Sequence, residues 1–75
     1  MTDVVYERVQ ASVKFYSRDK GYGFCKREGK MDVYISQRAL ERSGVSQIKE
    51  NDMLEFDLVP VLNKGGRAIN IKVVK

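Results

Sequence analysis

From Val9 to Tyr16 the chain reads VQASVKFY, a run rich in β-branched and aromatic residues, and after the turn-like SRDKG a second run, GYGFCKRE (Gly21–Glu28), follows. Side chains on a strand leave opposite faces in turn, so Tyr22, Phe24 and Lys26 share one side, and Gly21, Gly23 and Cys25 the other. MDVYIS (Met31–Ser36) alternates in the same way: Met31, Val33 and Ile35 are expected to face a core, with Asp32, Tyr34 and Ser36 outside. QRALERSG (Gln37–Gly44) is the only helix-like segment, a turn or two closed by Gly44, and reads as a connector. DMLEFDLVP (Asp52–Pro60) sets Leu54, Phe56 and Leu58 against Glu55 and Asp57. NKGG (Asn63–Gly66) supplies a turn, and AINIKVVK (Ala68–Lys75) puts Ile69, Ile71 and Val73 on one face.

Five short strands with almost no helix predict an all-β domain. An open sheet of this size would leave two bare edges and an uncovered face, so a closed or partly closed barrel is expected. The oligonucleotide-binding barrel (OB-fold), an antiparallel five-stranded barrel with one short helical connector, is the first candidate; an SH3-like barrel fits the strand count almost as well. With 75 residues there is one thin core, since a chain this short buries only roughly 60% of its unfolded surface. Not every aromatic ring can be hidden in it.

Charge sharpens the picture. Fourteen basic against ten acidic residues leave a net +4, which favours anionic partners, and the excess is uneven. Residues 14–38 hold seven bases and three acids, whereas residues 41–57 hold two bases and five acids, so one region of the surface is expected to be electropositive and another acidic. There is no histidine and a single cysteine, Cys25, which allows no internal disulfide and no zinc constellation and fits a reducing cytosol. The commonest parts of acid–base and covalent catalysis are missing, so an enzyme is not expected, nor a metal or cofactor. No apolar run approaches the ~20 residues that span a bilayer, and MTDVVYERVQ has no signal-like apolar region, so no membrane association is expected and the mature protein is read as the whole chain.

Five of the seven aromatics (Phe15, Tyr16, Tyr22, Phe24, Tyr34) lie between residues 15 and 34, and Tyr22, Phe24 and Tyr34 fall opposite the expected core. Rings on rigid strands can stack nucleobases while neighbouring Lys and Arg follow the phosphates, and the flanking glycines would keep that surface low. The plainer alternative is that the rings pack on one another or line a second small core. The stretch VKFYSRDKGYGFCKREGKMDVYISQRALERSGVSQIKENDMLEFDL resembles the cold-shock domain, a five-stranded OB barrel of bacterial cold-shock proteins, and the likeness covers residues 9–75, leaving 1–8 as an N-terminal extension. KGYGFC is similar to that family's first ribonucleoprotein motif and DVYIS to its second, and ERSGVSQIKEND resembles its connector into the fourth strand.

The resemblance implies that Lys14, Phe15, Lys20, Tyr22, Phe24 and Tyr34 contact single-stranded RNA or DNA, with Tyr16 and Lys64 at the periphery. It also exposes departures. Phe15 stands where the family usually has tryptophan, Ser36 where it has histidine, Gln37 where phenylalanine is common and Val45 where some members carry another phenylalanine, so up to three stacking partners are absent and the second motif is divergent. Ala11 replaces a customary glycine. Simple alternation puts Phe15 on the core side with Val13, whereas the resemblance puts it outside; a bulge near Lys14 would reconcile the two. Cys25, on the inward face, reads as a buried inert thiol. Gly65-Gly66 reads as a hairpin turn whose neighbours Lys64 and Arg67 can reach a phosphate backbone. Val4, Val5 and Tyr6 read as a frayed terminus. The leading expectation is a cytoplasmic, monomeric, non-catalytic binder of single-stranded nucleic acid, an RNA chaperone or regulator. The alternative is a protein–protein adaptor using the acidic patch of Glu50, Asp52, Glu55 and Asp57.

Overall fold

The computed structural model describes residues 6–74; Val4 and Val5, read above as terminal, lie outside them. Five strands form, β1 (Glu7–Ser17), β2 (Tyr22–Lys26), β3 (Val33–Ser36), β4 (Met53–Val59) and β5 (Arg67–Val74), with helix α1 (Gln37–Arg42) between β3 and β4. They close into a barrel in the order β1-β2-β3-β5-β4. The long first strand makes closure possible. Its first half pairs antiparallel with β4, from Glu7 opposite Leu58 to Ser12 opposite Met53, and its second half with β2, from Ser12 opposite Lys26 to Ser17 opposite Tyr22. The ring is sealed by a short parallel contact, Tyr34 of β3 beside Arg67 of β5, with the Tyr34 N–H donating to the Gly66 carbonyl at 2.9 Å. β1 begins at Glu7, two residues inside the segment expected to be an extension.

The core consists of Ala11, Val13, Cys25, Val33, Ile35, Leu54, Phe56, Ala68 and Ile71 from the strands, closed off by Leu40 of α1 and Ile48 of the following loop. Two bulges break the alternation that predicted it. In β1 the pairing shifts between Val13 and Phe15, so Val13 faces Cys25 inside while Lys14 and Phe15 both turn outward and Tyr16 turns back against the core. In β5 a single β4 residue, Phe56, stands opposite both Asn70 and Ile71, and Asn70 takes up a left-handed conformation (φ 51°). Ile69 therefore leaves the face expected for it and pairs with Asp57 on the outside, and Ala68 takes the inward place.

Met31 is the other correction to the expected core. It precedes β3 in the chain and is 58% exposed, because the strand begins only at Val33 and the alternating window ran past its true start. The β4–β5 link is a seven-residue loop, 60–66, rather than a tight turn at Asn63–Gly66. Gly65 in that loop lies so close to the Met31 and Asp32 carbonyls that a Cβ would sit 2.7 Å from the Met31 oxygen.

α1 starts and stops on serines. The Ser36 Oγ accepts from the Ala39 N–H at 3.0 Å as the N-cap. At the other end the Ser43 hydroxyl donates to the Ala39 carbonyl and accepts from the Ile71 N–H, both at 2.8 Å, so the helix end is tied to β5 at its bulge. Gly44 (φ 76°) then turns the chain away, as its place in the sequence predicted. Among the described residues no helix is long and apolar enough to cross a membrane.

Candidate nucleic-acid interface

Four rings from three adjacent strands meet on the outside of the barrel. Phe15 of β1 pairs with Phe24 of β2, which pairs with Tyr34 of β3, so alternation brings all three to one face once the β1 bulge has turned Phe15 round. Tyr22 lies at the centre of the group: its ring centroid is 6.2 Å from Phe15, 6.0 Å from Phe24 and 6.1 Å from Tyr34, nearly parallel to the last at 24°. Phe24 and Tyr34 meet edge to face at 5.9 Å. These contacts hold each ring in place. They do not hide the group, since Phe15 remains 40% and Tyr34 39% exposed. The plainer reading, rings packing on rings, is thus half of the picture: they brace one another and still offer free faces.

Tyr16 does not belong to this group. Its ring packs against the core, over Gly23, where a Cβ would approach the Tyr16 Cδ1 to 2.8 Å and strike the Phe15 carbonyl oxygen. Gly23 is therefore needed on the inner side, where it makes room for Tyr16 and the β1 backbone, and not to lower the outer surface as its sequence context suggested.

The basic residues are divided among the flanks. Lys14 ion-pairs with Asp32 at 3.0 Å, an exposed contact that leaves its ammonium at the rim of a shallow depression shared with Lys26, Arg27 and Lys30. Lys20 is exposed in the turn between β1 and β2. Lys64 lies on the far side, in a groove of about 780 Å³ that runs from Phe24 and Tyr34 past Met31 and Val61 to Arg67. Lys30, Met31 and Val61 were not expected at this face. Alternation alone places Met31 in the core, and the sequence carries no signal that the 60–66 loop folds back against the segment before β3.

Cys25 is fully buried, and burial pushes its thiol up to about 12, with a smaller contribution from the Asp32 charge. A thiol so raised is protonated at neutral pH and inert. Of the four carboxylates in the supposed acidic patch, two are already engaged by other side chains. Arg8 donates from Nε to Glu55 at 2.9 Å and from Nη1 to Asp57 at 3.2 Å, Gln10 adds a bond to Glu55, and Asn70 adds one to Asp57 at 2.9 Å. The Glu55 carboxyl is held below its ordinary range chiefly by the Arg8 hydrogen bond, and that of Asp57 chiefly by Asn70 and then Arg8. Asp52 accepts from the Lys49 N–H at 3.0 Å, a turn contact.

A small closed barrel of OB type with outward rings on its first three strands and bases around them has the form of a nucleic-acid-binding module. The family profile described as 'Cold-shock' DNA-binding domain matches residues 9–74, and the chain belongs to the cold-shock domain family, whose members bind nucleic acid without catalysing a reaction. It is 36% identical over 66 residues to a cold shock-like protein of Aquifex aeolicus, covering 87% of this chain and 93% of that one. It is 33% identical over 63 residues to the cold shock-like protein CspC of Bacillus cereus (84% and 95% covered). With the cold shock protein CspA of Staphylococcus aureus it shares 32% over 62 residues (83% and 92%).

Proposed function

We propose that this protein binds single-stranded RNA or DNA on the face formed by Phe15, Tyr22, Phe24 and Tyr34, with Lys14, Lys20 and Lys64 contacting the backbone, and that it acts in the cytoplasm as an RNA chaperone or regulator. The observation that carries the reading is the β1 bulge. It adds an outward ring to the three that alternation already supplied, at the cost of a regular ladder, and a ring so placed contributes to no core. Each exposed ring can stack a base for roughly 1–3 kcal/mol with little sequence preference. Tyr16 is left out of the binding set because it faces the core. The adaptor reading loses much of its motive, since Arg8 and Asn70 already occupy Glu55 and Asp57.

The test is a titration of a labelled oligo-pyrimidine of about 6 nucleotides, and of a duplex of equal length, at several salt concentrations. The single strand binds and the duplex does not, because paired bases cannot reach the rings. Neutralising about four phosphates gives a slope of log K against log salt near −3, at about 0.7 per phosphate. Equal affinity for the duplex, or a flat salt response, overturns the proposal.

A further inference from the structure

The barrel carries a second basic feature, between α1 and the start of β5. Arg38 and Arg42, four residues apart and so on one face of the helix, and Arg67 at the start of β5 line a cleft of about 220 Å³ together with Ser43, Ile69 and Asn70. None of the three guanidinium groups takes part in an ion pair among the described residues. The nearest acids are directed to other partners, though Glu41 is held by a neutral amide that does not cancel its charge. Asp57, across the ladder from Ile69 on the outer face, gives one oxygen to Arg8 and the other to Asn70, and Glu41 of the helix accepts from Gln37 at 3.2 Å. Three like charges line one small cleft with no ion-pair partner of their own among the described residues, an arrangement that an external anion would relieve. Guanidinium forks suit phosphate oxygens in particular.

Arg67 also lines the groove that contains Phe24 and Tyr34, and its backbone pairs with Tyr34 where the barrel closes. One arginine thus borders both the ring face and the arginine cleft. We infer that Arg67, Arg38 and Arg42 form a phosphate track that carries a single-stranded nucleic acid from the rings across the β3–β5 seam onto the face of α1. The inference rests on the reading of the ring face given above and extends it: a strand longer than the rings can hold gains backbone contacts there and no further stacking, because the cleft presents no aromatic side chain. A nucleic acid fits better than a protein segment, since three guanidinium groups border the cleft and Ile69 alone supplies a large apolar side chain there, with no apolar pocket built around it.

The experiment compares oligo-pyrimidines of about 6 and about 12 nucleotides on the wild type, on Arg38→Gln/Arg42→Gln and on the charge-matched control Lys49→Gln/Lys72→Gln. Circular dichroism and thermal melting establish that each variant is folded. On the wild type the longer strand has a salt slope steeper by about 1.4 to 2, equal to two or three further phosphates at about 0.7 each. The arginine variant, which keeps Arg67, loses about 1.4 of that increment and about tenfold in affinity for the longer strand, while its affinity for the shorter one is unchanged. The track is overturned if the two lengths give the same slope on the wild type, if the arginine variant weakens both lengths alike, or if the lysine control costs as much. It is also overturned, in favour of an acidic protein partner, if an oligo-aspartate peptide displaces the longer strand as well as unlabelled nucleic acid does. Failure of the ring face reads out separately, as Phe24→Ala leaving the affinity for the shorter strand unchanged.

Discussion

Val13 and Phe15 are two positions apart on one strand and end in opposite surroundings, Val13 2% and Phe15 40% exposed, because one extra residue, Lys14, is inserted between their pairings. At this scale the fate of a side chain is set by its register. The difference can be measured by removing rings. Tyr34→Ala and Phe24→Ala each weaken binding of a short single strand by roughly 1–3 kcal/mol in an oligonucleotide titration. Tyr34, with much of its ring in water, changes the urea midpoint little. Phe56→Ala reverses the pattern: the ring is fully buried between Leu54 and Leu58 of its own strand face, and its loss costs about 3–5 kcal/mol of stability. A domain of this kind has only about 5–15 kcal/mol to lose. A Phe24→Ala variant that unfolds would show that its ring is core. The places of Phe24, Tyr34, Phe56 and Cys25 were legible in the alternation of their strands. That of Tyr16 was not, because the Lys14 bulge inverts the parity of everything after it.

Among the elements, α1 is small and does two jobs. It closes one end of the barrel with Leu40, and its cap, Ser36, is the residue that stands opposite Tyr22 at the edge of the ring face. The family's histidine at that place would extend the rings, but here the side chain is engaged by the Ala39 N–H. Gln37→Phe leaves the cap intact. The Gln37 N–H donates to the Gly21 carbonyl at 2.9 Å, which keeps the position next to the Tyr22 end of the face. Gln37→Phe is expected to tighten binding of a short single strand by one added stack, about 1–3 kcal/mol, with no loss of thermal stability. Adding Ser36→His increases affinity again but lowers the melting temperature, since losing a serine N-cap costs about 0.5–2 kcal/mol. A folded Gln37→Phe protein that binds no better than wild type would show that this position does not reach the bound strand. The helix and its closing glycine could be read from the sequence, but the double role of Ser36 depends on how β2 and β3 are aligned.

For the whole molecule, Arg8 is a fastener. It reaches from β1 to Glu55 and Asp57 of β4 and, through a 2.8 Å bond from Nη1 to the Asn70 carbonyl, to the bulge of β5. Both carboxyl groups have lower pKa values in the folded barrel than in the unfolded chain, where they return to about 4. The unfolded state then binds more protons as the pH falls through that region, so the stability these groups provide is present above their unfolded values and is lost towards their folded ones. Urea titrations are expected to show stability declining below about pH 4.5, with a shallower decline in Arg8→Ala, whose carboxyl groups no longer have the guanidinium to hold them down. Both groups are exposed, so added salt is expected to shrink the difference. An acid limb identical in the two proteins would mean that Arg8 does not couple the three strands.

The number of strands, the single short helix and the aromatic–basic character of one face were determined by the sequence, because alternation and residue type act over a few neighbours and each run carries its own signal. The KGYGFC and DVYIS stretches place Tyr22, Phe24 and Tyr34 outward whatever else the chain does. Three features were decided only in the closed barrel. The bulges at Lys14 and Asn70 depend on the geometry of the strands opposite them, β2 for the first and β4 for the second, and so they choose Phe15 over Tyr16 for the ring face and Ala68 over Ile69 for the core. The fold-back of the 60–66 loop brings Gly65 against Met31 and Asp32 and opens a groove where a core residue was expected. The parallel contact of Tyr34 with Arg67 joins residues 33 positions apart, and through it the ring face and the arginines of α1 become neighbours. Contacts of that separation exist only once the ends of the sheet have met, and no local pattern encodes them.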